Sequence, residues 1–96
     1  MSLSRIVPFL VLLVAGCAKH LTVDGFDVSE RWYEEYSNVV RKRAAYDMGC
    51  PEGELKLILL NVSQGYPATF GVEGCGKKAT YLRPYGSTSW VLNSGQ

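Results

Sequence analysis

The three cysteines of this chain, at positions 17, 50 and 75, constrain its fold more than any other feature. The chain has 96 residues, enough for one small domain. A domain of this size buries only about 60% of the surface of its unfolded chain, and it is often marginally stable without a crosslink or a bound metal. Because an odd number of cysteines leaves one thiol over after pairing, the fold depends on which cysteine stands apart.

Cys17 directly follows a short apolar segment. Arg5 precedes a mostly apolar run over residues 6–15. A basic residue, a short apolar run and small residues before a cleavage point are the pattern of a secretory signal. The run has about ten apolar residues, whereas a membrane-spanning helix needs roughly 20. The pattern therefore predicts export, with residues 1–16 removed as a signal peptide.

The junction Val14-Ala15-Gly16-Cys17 resembles the lipobox of bacterial lipoproteins. In that family the cysteine thiol is acylated, the peptide bond before it is cut, and the new amino terminus is usually acylated too. Ala18 stands where lipoproteins retained in the inner membrane typically carry Asp. The resemblance implies a lipid anchor at Cys17, with palmitate-type acylation, and a place in the outer membrane. The alternative is an ordinary secretory signal with an incidental cysteine.

The charge of the mature chain argues against one class of partner. Lys and Arg number ten and Asp and Glu number nine, so the loss of Arg5 with the signal leaves equal numbers. A nucleic-acid-binding domain needs a basic stripe and an excess of positive charge. We therefore expect no nucleic-acid partner, and contact with the membrane through the covalent lipid anchor.

Lipidation of Cys17 would leave Cys50 and Cys75 as a pair. Exported proteins form disulfides in an oxidising compartment, and a bond closing a loop of about 25 residues would stabilise the fold by roughly 3 to 4 kcal/mol. The spacing is not that of a CxxC redox motif. His20, the single histidine, is too close to the anchor to complete a zinc site. A structural disulfide is predicted, with free thiols or redox or metal chemistry as the alternatives.

Residues 17–27 carry no periodic pattern and are interpreted as a lipidated tether, spanning about 15 to 30 Å. The alternative is that Leu21, Val23 and Phe26 pack on the domain. Residues 28–96 are predicted to form that domain.

A helix of about twenty residues is predicted at the start of the domain. Asp27 and Glu30 have the spacing of a capping box, Gly49 is a typical C-terminal stop, and Pro51 prevents continuation. Apolar residues recur at steps of three and four and predict one buried face: Trp32, Tyr33, Tyr36, Val39, Val40, Ala44 and Met48.

The second half of the chain predicts strands. Residues 55–62 are nearly all apolar, which favours a central strand or a strand buried at both ends. The alternation over residues 68–83 is interpreted as one long strand, bent at Cys75 by its flanking glycines, in preference to a hairpin. Residues 89–93 are the last predicted strand. The predicted fold is α+β: one amphipathic helix packed on a three-stranded antiparallel meander and fixed by one disulfide.

The mature domain also carries a resemblance. Residues 44–51, Ala-Ala-Tyr-Asp-Met-Gly-Cys-Pro, and residues 74–81, Gly-Cys-Gly-Lys-Lys-Ala-Thr-Tyr, precede a final Trp90. They look like small lipoproteins of deltaproteobacteria and myxobacteria, which carry helix-Cys-Pro followed by Gly-Cys-Gly. The resemblance covers roughly residues 44–92. It implies the same fold and anchoring, and it transfers no catalytic residue.

The sequence shows no nucleophile, base or metal cluster with catalytic spacing, so the chain is predicted to be non-enzymatic, without cofactor or metal. Tyr85 and Trp90 are the candidate binding surface, because aromatic rings bind sugars and proteins, although a small core would also recruit them. The predicted function is a lipid-anchored interaction module of the cell envelope that contacts a protein or a glycan. The alternatives are a purely structural envelope lipoprotein and, less favoured, a small glycan-binding module.

Overall fold

The computed structural model describes residues 19–84 and 86–95 of the chain. A β-hairpin comes first, followed by one long helix, a short 3-10 turn and four further strands. The elements are β1 (His20–Val23), β2 (Phe26–Ser29), α1 (Glu30–Met48), the 3-10 turn (Glu52–Glu54), β3 (Lys56–Ser63), β4 (Tyr66–Gly74), β5 (Lys77–Leu82) and β6 (Val91–Gly95). The predicted signal, the predicted lipidation residue Cys17 and the candidate binding residue Tyr85 lie outside the described residues.

The predicted helix is present, and its C-terminal stop is confirmed. Gly49 follows α1 in the left-handed conformation, with φ 63° and ψ 43°, which glycine adopts without steric cost. The N-terminus differs from the prediction. Ser29 occupies the N-cap position without a capping hydrogen bond from its side chain. Asp27 does not cap the helix, because it lies within β2.

One face of α1 packs on the sheet, as the periodicity predicts. Its buried residues are Tyr36, Ser37, Val40, Ala44 and Met48. Trp32 and Tyr33 are partly buried against the same core. Val39, which was predicted on this face, is exposed. Among the described residues, no helix has both the length and the apolar composition that a membrane crossing requires.

The sheet has four antiparallel strands in the order β3-β4-β5-β6, and not the three predicted. The predicted long strand over residues 68–83 is wrong, because the chain reverses at Cys75 and Gly76 between β4 and β5. Gly74 pairs with Lys77, which leaves two turn residues, with φ of 53° and 75°. Positive φ at both central residues is the requirement of a type I′ hairpin. The α+β class with one helix on an antiparallel sheet is confirmed.

The segment predicted as a tether is largely a hairpin. β1 and β2 pair antiparallel from His20 with Ser29 to Val23 with Phe26. The alternative interpretation, that Leu21, Val23 and Phe26 pack on the domain, is confirmed. Val28, on β2, is completely buried in the core. The domain therefore begins at β1, before residue 28.

The hairpin also explains how β3 tolerates an outer position. The apolar sequence of β3 favoured a central position or burial of both ends, and the structure places β3 at one edge of the sheet. At the hairpin turn, a carboxylate oxygen of Asp24 accepts a hydrogen bond of 2.8 Å from the backbone N–H of Leu59. Occupied edge groups discourage pairing with foreign strands. The β1–β2 hairpin thus occupies a backbone group on the free edge of β3, a strand as apolar as a central one.

Candidate functional site

The predicted disulfide joins Cys50 and Cys75, with Cα atoms 5.9 Å apart. Cys50 follows the end of α1 and is buried, whereas Cys75 lies in the exposed β4–β5 turn. Gly74 allows this approach, because a Cβ there would lie 2.8 Å from the backbone oxygen of Glu54 and 3.2 Å from Cys50 Sγ. The bond therefore ties the helix end to the far end of the sheet.

One acidic side chain adjoins the disulfide. Cys50, Glu54 and Cys75 place their possible ligand atoms within 4.8 Å of one another. Metal binding by cysteine requires the thiolate, and both sulfurs are bonded to each other. A single carboxylate remains, so this cluster is a structural one.

A buried tyrosine connects the same end of α1 to β5. The hydroxyl of Tyr81 donates a hydrogen bond of 2.7 Å to Asp47, and Asp47 also forms an ion pair of 3.2 Å with Arg43. Burial raises the pKa of Tyr81, and its hydrogen bond to Asp47 raises the pKa further. The phenol is therefore held protonated as a donor, which is a structural role.

This raised pKa predicts a stability that falls at high pH. Below about pH 10, both the folded and the unfolded state keep the Tyr81 proton, so its contribution is complete. Above that pH the unfolded state loses the proton while the folded state retains it. The free energy of unfolding then decreases by up to about 1.4 kcal/mol per pH unit for this group. Urea denaturation between about pH 9 and 11 measures the slope.

The variant Y81F should have a shallower slope than the wild type. Some slope should remain, because the pKa of Tyr33 is also raised, mainly by burial and further by the charge of Asp24. The control Y46F changes a tyrosine that is 85% exposed on α1 and should retain the wild-type slope. Equal slopes in Y81F and wild type would contradict the assignment.

Trp90 belongs to the core and not to a surface. It is 4% exposed and its ring lies against Tyr36, with centroids 5.5 Å apart, and against Phe70, at 5.3 Å. Its indole Nε1 has no hydrogen-bond partner among the residues that the structure describes. Of the two candidate binding residues, Trp90 is therefore buried, and Tyr85 lies outside the described residues.

The sheet has one covered and one uncovered face. The covered face packs against α1 and includes Leu59, Phe70, Val72, Ala79 and Tyr81. Two cross-strand rows alternate with these residues and point to the opposite face of the sheet. They are Ile58–Gly71–Thr80 and Thr69–Leu82–Val91. We define the outer sheet face by Ile58, Leu60, Thr69, Gly71, Thr80, Leu82 and Val91. No described element packs on it.

The outer sheet face is apolar and shaped around a glycine. Leu60 is 49% exposed and Val91 is 44% exposed. A register shift between Leu59 and Asn61 places Leu60 beside Gly71, where a Cβ would lie 3.1 Å from its Cδ1. A shallow groove of about 190 Å³ results, lined by Leu60, Gly71 and Thr80 and also by the charged Glu73 and Lys78. A cross-strand row of charges, Lys56–Glu73–Lys78, borders this face at one end.

Sequence reasoning missed this face, although part of its signal was present. Ile58 and Leu60 are apolar at positions where a strand covered on one side would carry polar residues. This excess was interpreted as a sign of burial within the sheet. In the structure, Ile58 and Leu60 lie on the outer sheet face, where Leu60 is exposed.

Comparison of the chain with models of known protein families, with curated proteins and with solved structures found no match. The function is therefore argued from the chain's own residues and geometry.

Proposed function

We propose that this chain is a lipid-anchored, non-enzymatic protein of the cell envelope, which acts as a small interaction module. Cys17 is the lipidated residue, the outer membrane is the location, and the outer sheet face is the contact surface. The observation that carries the proposal is that exposed aliphatic side chains, Leu60 and Val91, lie on the sheet face opposite the one that α1 covers.

The chemistry of the outer sheet face favours a protein partner over a glycan. Its residues are aliphatic side chains, threonines and one glycine, whereas glycan sites rely on exposed aromatic rings. The rings of Tyr36, Phe70 and Trp90 pack on the opposite side, in the core. Exposed apolar surface with a polar rim is typical of protein contact sites, and the charged row Lys56–Glu73–Lys78 forms such a rim here.

The bonds that Cys50, Cys75 and Tyr81 already make within the fold support a non-enzymatic role. Cys50 and Cys75 are bonded to each other, which removes both as nucleophiles. Tyr81 is buried, and its hydroxyl is committed to Asp47. These groups stabilise the fold and are not presented to a substrate.

The anchor and the contact surface can be tested separately. Mass spectrometry of the mature N-terminus is expected to find a diacylglyceryl cysteine at position 17. An unmodified cysteine, or cleavage elsewhere, would refute the anchor.

For the surface, a photo-crosslinking residue is placed at Thr80, in the centre of the outer sheet face, and in a second protein at Tyr46. Irradiation of intact cells is expected to yield a discrete crosslinked protein from position 80 and none from position 46. The substitution L60K should abolish the product, because it replaces the exposed apolar side chain at the groove by a charged one. The exposed control Y46K should leave the product unchanged. Equal products from both positions, or insensitivity to L60K, would contradict the outer sheet face as the contact surface.

A further inference from the structure

The chain enters the domain beside the start of α1. The backbone oxygen of Lys19 accepts a hydrogen bond of 3.0 Å from the N–H of Glu30, the first residue of the helix. The next residue, His20, pairs with Ser29. The N–H of Ser29 in turn donates to the oxygen of Gly65, in the β3–β4 turn, at 3.0 Å. Lys19 is thus already fixed to the domain.

This attachment leaves little chain between the domain and the proposed anchor. Two residues of extended backbone span at most about 7 Å, which bounds the distance from Cys17 to Lys19. The tether is therefore much shorter than the 15 to 30 Å expected from about ten flexible residues. If Cys17 carries lipid, the end of the domain at the start of α1 must lie against the lipid headgroups.

That end of the domain carries an aromatic pair. Trp32, in the first turn of α1, stacks on Tyr66 at the start of β4, with ring centroids 5.4 Å apart and planes 22° from parallel. The guanidinium of Arg31 lies 5.2 Å from the centre of the Trp32 ring. Tyr66 is 38% exposed, and Trp32 is partly buried. Trp and Tyr are the side chains that concentrate at the boundary between lipid and water.

We propose that the Trp32–Tyr66 end of the domain rests on the membrane surface and fixes the orientation of the protein. This inference rests on the proposed lipid anchor at Cys17. Its occupant is the headgroup region of a lipid bilayer. The aromatic pair makes the contact with the headgroups. Net charge does not, because this end carries both acidic and basic residues: Glu30 and Glu34, and Lys19 and Arg31.

The orientation has a consequence for the partner surface. β4 starts at Tyr66, at the membrane, and ends at Gly74, beside the disulfide. α1 runs in the same sense over 19 residues, or about 27 Å of rise. The disulfide end therefore points away from the lipid. The outer sheet face then stands sideways to the membrane, where another envelope protein can reach it.

Contact quenching of tryptophan fluorescence tests the orientation on the complete lipidated protein. The protein is reconstituted in vesicles of phosphatidylethanolamine and phosphatidylglycerol whose acyl chains carry bromine near their ester ends. The described residues include two tryptophans, Trp32 and Trp90, and Trp90 is in the core. We expect bromine to quench the tryptophan fluorescence of the wild type. The quenched fraction in W32F should be about half the wild-type value or smaller.

A matched reporter at the other end of the helix is the control. The double variant W32F/Y46W moves the reporter by about 21 Å along α1, to a position that is exposed in the wild type. Its quenched fraction should equal that of W32F.

Mass spectrometry of the same samples separates the two proposals. Two results with lipid at Cys17 would overturn the orientation and leave the anchor intact. One is that Trp32 is not quenched, and the other is that W32F/Y46W is quenched as strongly as the wild type. An unmodified Cys17 would overturn the anchor, and the orientation with it.

Discussion

Replacing Cys50 and Cys75 together by alanine is expected to lower the free energy of unfolding by about 3 to 4 kcal/mol. The bond closes a loop with a sequence separation of 25 residues, so its loss frees a large set of unfolded conformations. Cys50 is buried, and alanine keeps an apolar group there. Small domains have a total stability of only about 5 to 15 kcal/mol, so this effect is a large share of it.

Urea denaturation of the mature protein, followed by circular dichroism, measures the effect. The reduced wild-type protein is the matched control, because it loses the bond and keeps the sulfur atoms. It should unfold at nearly the same urea concentration as C50A/C75A. A double variant as stable as the oxidised wild type would contradict a stabilising role for the bond.

The helix and the disulfide could be predicted because their signals are local or follow from counting. The apolar spacing of α1 and the stop at Gly49 depend on residues within one helix. The pairing of Cys50 with Cys75 follows once Cys17 is assigned to the lipid. Neither prediction requires knowledge of which strands are neighbours.

The β4–β5 hairpin was missed because the sequence pattern has two explanations. Inward residues fall at even positions before the turn, as at Phe70 and Val72, and at odd positions after it, as at Ala79 and Tyr81. A bulge in one strand and a two-residue turn both change the phase of alternation in this way. Strand length could have decided between them, since sixteen residues exceed the usual range of about 3 to 10.

The β1–β2 hairpin was missed because its strands are too short to show a pattern. Each has four residues, and half of them are polar. Asp24-Gly25 is a favourable dipeptide for a type I′ turn, and both residues have positive φ, as do Gln64-Gly65 and Cys75-Gly76. The three hairpins with two-residue turns among the described residues therefore share a turn ending in glycine, which was a usable signal.

The proposed contact surface could not be predicted because it depends on which side of the sheet the helix covers. Trp90 and Leu60 are both apolar residues of the sheet region, and composition does not separate them. The Cys50–Cys75 bond and the apolar stripe of α1 place the helix against Phe70 and Tyr81. Trp90 is then enclosed, while Leu60 is left on the outer sheet face.

Gly74 provides the sharpest test of how the helix end is fitted to the sheet. In G74A the new Cβ would lie 2.8 Å from the backbone oxygen of Glu54, 2.8 Å from Leu55 Cδ2 and 3.2 Å from Cys50 Sγ. Backbone atoms and a disulfide sulfur cannot move aside without shifting the 3-10 turn or the end of β4. Overpacking of this kind costs about 1 to 3 kcal/mol and occasionally more, so we expect a loss of about 3 kcal/mol.

The matched control is G71A, which adds the same methyl group on the same strand. Its Cβ would lie 3.1 Å from Leu60 Cδ1, the far end of an exposed and flexible side chain that can rotate away. G71A should therefore change the stability by less than about 1 kcal/mol, a third of the G74A effect. Urea denaturation of both variants gives the comparison. Equal losses would mean that the close approach of Cys50 to Gly74 does not determine how the helix is attached.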